Sequence, residues 1–247
     1  MTFDAHPRSS LIVALDFDSL SSAVKFAKQI ADLVGLFKIG SQLFTAAGPA
    51  AVKEITALGP GVFLDLKFHD IPNTVAGAVL SAAAMNGVQL VNVHALGGSA
   101  MMQAAAQAIS AGVPLGMDRP RLLAVTILTS MDQKAVREVG IGGAPKNRVV
   151  KLAQLAKKSG VDGVVASVQE AKAIRKACGR DFLIVTPGVR PKEKGPSGKK
   201  DDQSRTATPA EAIRAGADYI VVGRPIIAAE DPRAAAQAIV DEIAASK

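Results

Sequence analysis

A single-domain (β/α)8 barrel, the TIM-barrel class of α/β fold, is predicted over residues 1–247 by three features of the chain. Short apolar runs alternate with alanine-rich amphipathic stretches, and the alternation repeats eight times, the pattern of a parallel sheet with crossover helices. The length of 247 residues suits eight strand-helix units. An open doubly wound sheet would carry a glycine-rich phosphate turn after its first strand, whereas Asp16-Phe17-Asp18 stands there.

The first run, Leu11-Ile12-Val13-Ala14-Leu15, is short and apolar throughout, as expected of a strand covered on both faces. Helical periodicity follows at 21–34. Strands at 36–39 and 62–66 lead into helices at 49–58 and 74–85, the first opened by Pro49, whose missing N–H costs nothing in a first turn. A strand at 90–93 feeds a helix at 100–110. The run 122–128 precedes a helix at 146–158, with Asp132, Gln133 and Lys134 starting a short helix between them. The last three pairs are 163–166 with 169–177, 183–185 with 209–215, and 219–222 with 232–245.

Hydrophobic residues make up 49% of the chain and aromatic residues 4%, without tryptophan, so alanine, valine, leucine and isoleucine must fill the core. No uncharged apolar run approaches bilayer length, and residues 1–10 contain Asp4, His6, Pro7 and Arg8 with no apolar signal region. A cytoplasmic protein without membrane association is expected. The lone Cys178 can form no intrachain disulfide. A net charge of +7 suits an anionic partner. Nucleic acid is not the expected one, because one tyrosine and scattered phenylalanines provide no stacking platform.

Active sites of such barrels lie at the C-terminal ends of the strands. The polar residues there are Asp16, Lys38, Asp65 with Lys67, His94, Thr129, Ser167, Thr186 and Gly223-Arg224. The densest stretch is Asp65-Leu66-Lys67-Phe68-His69-Asp70, directly after apolar Val62, Phe63 and Leu64. Side chains two apart on a strand share a face, so Asp65 and Lys67 project together while Leu64, Leu66 and Phe68 pack on the other side. An ion pair with Asp70 capping the next helix would be the plain explanation. Lys38 on the neighbouring strand allows another, an alternating Lys38-Asp65-Lys67-Asp70 array in which carboxylates hold a lysine in its charged form. Such a lysine can donate a proton. A carboxylate beside a bound anion favours a reaction that removes the anion, and loss of CO2 does so without a cofactor.

The stretch from Asp65 to Thr74 resembles the signature of the orotidine 5'-phosphate decarboxylase family. Further similarity lies in Ala14-Leu15-Asp16, Phe37-Lys38-Ile39-Gly40, Leu128-Thr129-Ser130, Thr186-Pro187-Gly188-Val189-Arg190 and Val222-Gly223-Arg224-Pro225-Ile226. The resemblance implies decarboxylation of orotidine 5'-monophosphate to UMP, the last step of pyrimidine nucleotide synthesis, with no metal and no cofactor. It implies that Lys67 protonates C6, that Asp65 faces the departing carboxylate, and that Lys38 completes the array. Asp16 and Lys38 would hold the ribose hydroxyls, Thr129 would line the pyrimidine pocket, and Arg190, Arg224 and Gly223 would take the phosphate. Asp70, Ile71 and Thr74 would reach into the partner's site of a homodimer.

The segment between Arg190 and Arg205 is longer and richer in lysine than the family pattern. Its composition is that of a mobile loop, expected to close over the phosphate within 187–208, with Gln203 bridging phosphate and base. Two other functions compete. A Mg²⁺-dependent sugar-phosphate decarboxylase or aldolase of the same barrel would need an acid at strand two, where Lys38 stands. A non-catalytic phosphate-ligand barrel would have little use for a clustered charge array.

Overall fold

The computed structural model describes residues 6–113, 116–191 and 207–246. The eight apolar runs form strands Leu11–Ala14 (β1), Leu36–Gly40 (β2), Gly61–Phe68 (β3), Val88–His94 (β4), Arg121–Val125 (β5), Gly163–Val165 (β6), Leu183–Thr186 (β7) and Tyr219–Val222 (β8). They pair in sequence order, all parallel, and β8 closes on β1 to make the expected barrel. Closure leaves no free edge for another chain to pair with.

Alternation along the strands sorts side chains into two cores. Leu11, Val13, Phe37, Ile39, Val62 and Leu64 face outward into the layer shared with the helices. Ile12, Ala14, Leu36, Phe63, Leu90, Leu123, Leu183, Val185 and Val221 fill the barrel interior. Continuing the inward rows upward puts Asp16, Lys38, Asp65 and Asn92 above this apolar plug. The polar layer therefore lies at the C-terminal mouth.

The helices start where the chemistry favours a start. Proline occupies the first turn of Pro49–Thr56, Pro72–Ala83, Pro145–Lys158, Pro209–Arg214 and Pro232–Ala244, where no intrahelical N–H bond is lost. Thr208 and Glu211 form a reciprocal capping box ahead of the seventh crossover helix. The short helix expected after Asp132 spans Gln133–Glu138, with Asp132 accepting from the Ala135 N–H.

Two expectations change. The fifth strand ends at Val125 and not at 128: the Thr126 N–H makes the last bond to β6, to the Val165 carbonyl at 3.1 Å, and its buried hydroxyl donates to the same carbonyl at 3.0 Å. An unexpected helix, Ser41–Ala47, follows β2 and ends at Gly48, whose φ of +59° suits glycine and separates it from the next helix. At the other mouth, two aspartates act alike. Asp162 accepts from Leu122 N–H and pairs with Arg119 and Arg121, while Asp218 accepts from Ile184 N–H and pairs with Arg175. Each joins a strand start to a cation.

Candidate active site

Lys38 lies in the middle of β2, paired with Ala14 on one side and Phe63 on the other, and its ammonium stands between two carboxylates. It is 3.2 Å from Asp16 Oδ1 and 3.4 Å from Asp65 Oδ2. Asp65 turns its other oxygen to Lys67, with Nζ at 2.7 Å. A continuous Asp16–Lys38–Asp65–Lys67 chain of opposite charges results. Its middle is shielded and its ends are open: side-chain exposure is 13% for Lys38 and 11% for Asp65, but 52% for Asp16 and 39% for Lys67. Lys67 is thus the cation a ligand can reach from the mouth.

The backbone beneath this chain is not a regular strand. Leu64 pairs with Val91 and Phe68 with Val93, so four steps on β3 oppose two on β4. The surplus is taken up at a bulge in which Lys67 has φ +51°, the only positive φ at a non-glycine among the described residues. The simple two-residue alternation expected for Asp65 and Lys67 therefore stops at Lys67, although their side chains still meet.

The residue that accommodates the bulge, Asn92, was not singled out by sequence reasoning. It is fully buried on β4. Its Oδ1 accepts from the Lys67 backbone N–H at 2.7 Å, and its Nδ2 donates to Asp65 Oδ1 at 2.6 Å. A single asparagine inside Leu90-Val91-Asn92-Val93 is the available signal, a polar side chain at an inward position of a strand otherwise apolar there.

Glycine makes room at one point: a methyl group on Gly40 would lie 2.9 Å from Lys38 Nζ, whereas one on Gly223 would make only ordinary contact, 3.7 Å from Asp16 Oδ2. The second proximity brings the end of β8 beside the end of β1. Gly223 and Arg224 follow β8, and Arg190 follows β7, where a parallel bridge between Val189 and Ala207 ties the start of the seventh loop to its end. Thr129 is buried after β5. Gln203 and most of the expected closing loop, 192–206, lie outside the described residues.

Asp70, Ile71 and Thr74 are exposed beyond β3. Asp70 stands outside the charge chain and does not cap the next helix; its carboxylate accepts from the Ile71 N–H at 2.6 Å, and Ile71 occupies the N-cap position. His69 also finds a partner invisible in sequence, stacking on His94 with ring centroids 5.3 Å apart. Burial, then the charges of His69 and Lys67, lower the His94 pKa to about 4, so its ring is neutral near pH 7. Its Nδ1 accepts from the Leu96 N–H. Cys178 is buried, which pushes its thiol pKa up and leaves it unreactive.

A cavity of about 680 Å³ opens at the opposite mouth, with Arg8, Gln89, Arg121 and Tyr219 in its wall. It has no comparable charge chain, and Arg121 there is paired with Asp162. Among the described residues, no group of three or more histidine, cysteine, aspartate or glutamate side chains is placed to hold a metal ion. None of their helices is long and apolar enough to cross a membrane.

Residues 9–239 match the model of the orotidine 5'-phosphate decarboxylase / HUMPS family. The chain is 55% identical over 238 residues to the orotidine 5'-phosphate decarboxylase of Trichlorobacter lovleyi, covering 96% of each protein. It is equally similar to that of Geotalea uraniireducens, at 55% identity and the same coverage. The crystal structure of orotidine 5'-phosphate decarboxylase from Lactobacillus acidophilus superposes with a TM-score of 0.82 at 42% identity, covering 94% of this chain and 98% of that one. The corresponding Pyrococcus horikoshii structure gives 0.73 at 26% identity, with 95% and 99% covered. Matches of this extent, running through the strands that form the charge chain, show that the chain belongs to the orotidine 5'-phosphate decarboxylase / HUMPS family.

Proposed function

We propose that this chain converts orotidine 5'-monophosphate to UMP and CO2, with Lys67 as the proton donor. The observation that carries the reading is the Asp16–Lys38–Asp65–Lys67 chain, in which a shielded carboxylate lies beside an accessible ammonium. A pyrimidine seated over the mouth with its C6 carboxylate toward Asp65 meets a fixed like charge, which binding of the rest of the nucleotide must offset. Breaking the C6–carboxylate bond releases CO2 and leaves the electron pair on C6. The repulsion disappears, while the Lys67 ammonium stabilises the new carbanion and transfers one proton to it. Water then restores the proton on Lys67. The balance is one proton taken up and one CO2 released, with no oxidant or reductant.

Lys38, held by Asp16 and Asp65, fixes the Asp65 carboxylate and presents charge toward the ribose hydroxyls together with Asp16. Arg190, Arg224 and the Gly223 backbone follow the seventh and eighth strands, where barrels commonly take a phosphate and where arginine suits it bidentately. Thr129 lines the base pocket, and Gln203 bridges phosphate and base from the closing loop. The working unit is a homodimer in which Asp70, Ile71 and Thr74 complete the partner's site. The 66% exposure of Ile71, with exposed Leu96 and Leu128 on the next two strand-end loops, supports an apolar contact at this rim. A cytoplasmic location suits an enzyme of nucleotide synthesis.

The test is turnover of orotidine 5'-monophosphate by chelator-treated protein, followed by the ultraviolet change as UMP forms, with and without Mg²⁺. Equal rates in both conditions are expected. Inactivity of the folded protein in both would overturn the assignment. Turnover of a sugar phosphate only with Mg²⁺ would instead favour the enediolate chemistry of other barrels of this kind, which the Lys38 ammonium between Asp16 and Asp65 disfavours.

A further inference from the structure

We infer that Asn92 is a positioning residue of the reaction, which holds Lys67 in its left-handed conformation and fixes Asp65 through the two ends of one side-chain amide. The inference rests on the role of Lys67 given above.

Each requirement is visible in the geometry. The extra residues on β3 lift the Lys67 N–H out of the regular ladder with β4, and a shielded N–H without an acceptor is destabilising. Asn92 Oδ1 replaces the missing strand carbonyl at 2.7 Å. That bond restrains the peptide at a φ of +51°, a conformation strained for a non-glycine residue and kept only where its surroundings hold it. The same side chain uses its Nδ2 on Asp65 Oδ1 at 2.6 Å, the oxygen that also receives Lys67 Nζ at 2.7 Å. Asp65 and Lys67 are therefore held relative to each other twice, once by their own ion pair and once through Asn92.

The surroundings exclude a substitute. Asn92 is fully buried, and the residue paired with it on β5 is Leu123. Among the described residues, Asp65 and Lys67 on β3 bond to Asn92, Lys38 on β2 pairs with Asp65, and His94 lies two positions along its own strand. Of these, Asp65 and Lys67 contact the amide through the two bonds described. Both a donor and an acceptor are needed at position 92, which leucine or alanine lacks and which an ionised aspartate only half supplies.

That asymmetry provides the experiment. In Asn92→Asp, an ionised carboxylate still accepts from Lys67 N–H but faces Asp65 as a like charge. Protonated, it again offers one donor and one acceptor in the shape of the native amide. Like charges in contact also raise the pH at which such a pair gives up its shared proton. With wild-type protein as the control at every pH, kcat of Asn92→Asp should fall at least about tenfold below wild type at pH 8. It should recover toward wild type as pH is lowered to 5.5. KM, set largely by the distant phosphate contacts, should stay within about threefold. Asn92→Ala should lose about 100-fold in kcat at all pH values, the scale expected when a reacting group is misplaced by about 1 Å.

A ratio of Asn92→Asp to wild type that does not vary with pH would overturn the inference. So would an Asn92→Ala protein with wild-type kcat. If Asn92→Ala fails to fold, the pH dependence of Asn92→Asp decides alone. If wild-type protein does not turn over orotidine 5'-monophosphate, the proposed function fails. The inference is then read from stability, and fails if the melting-temperature difference between Asn92→Asp and wild type is the same at pH 5.5 and at pH 8.

Discussion

Lys67 Nζ meets Asp65 Oδ1 at 2.7 Å across a backbone that changes from extended to left-handed between the two residues. Two charges separated by one residue on a regular strand would share a face but need not touch. Here the bulge folds the lysine back over the carboxylate. The pair therefore depends on backbone shape as well as on attraction, and its neighbours can be perturbed one at a time.

Gly40 has an ordinary φ of −93°, so alanine would cause no backbone strain there, but its methyl group would lie 2.9 Å from Lys38 Nζ. The flexible ammonium would move and leave the chain standing. Gly40→Ala is expected to keep its melting temperature within a few degrees of wild type and to lose about 100-fold in kcat/KM. Steady-state kinetics beside a melting curve checks this. Wild-type kinetics would mean that the position of Lys38 does not matter.

Sharing of sites across a dimer can be tested by complementation. Lys67→Ala and Asp70→Ala should each be folded and inactive. After equal amounts are dissociated and allowed to reassociate at random, half of the dimers are mixed and each has one intact site of two. About a quarter of wild-type activity should return. Verified mixed dimers with no activity would refute the shared site.

The neutral His94 makes acid stability measurable. Its pKa is about 4 in the folded protein against 6.5 when exposed, mainly because of burial. Between those values the unfolded chain binds the proton and the folded one does not. The His94 contribution is thus complete above pH 6.5 and declines as pH falls toward 4. The imidazole resonances should titrate with a midpoint near 4, and His94→Gln should flatten the fall in melting temperature over this interval. A midpoint near 6.5 would contradict the burial effect.

Arg175 serves the opposite end of the barrel. Its guanidinium donates to the carbonyls of Gly179, Arg180, Phe182 and Gly216 and to Asp218 Oδ2, with distances between 2.7 and 2.9 Å. Removing it leaves the largely shielded Asp218 without its cation. Arg175→Ala should lower unfolding free energy by about 2–4 kcal/mol in urea titration, with turnover per folded molecule unchanged. A loss of kcat without a loss of stability would assign Arg175 a different role.

The order of strands and helices, the apolar filling of the barrel and the Asp65-to-Asp70 charge cluster were all legible in the amino-acid sequence. Each is a local property: residue period, turn chemistry and the position of a charge after an apolar run repeat within ten or so neighbours. Lys38 could be placed beside Asp65 because adjacent strands of a barrel follow the chain. Only the tertiary structure decided that Asn92 meets Lys67 and Asp65, that Gly40 clears space for an ammonium, that His69 stacks on His94, and that Asp70 stands apart from its own chain's array. These depend on how β3 slips against β4 and on which backbone approaches which. A two-residue slip leaves every local pattern intact while changing every cross-strand neighbour beyond it, so the contacts are determined by closure and packing of the whole barrel.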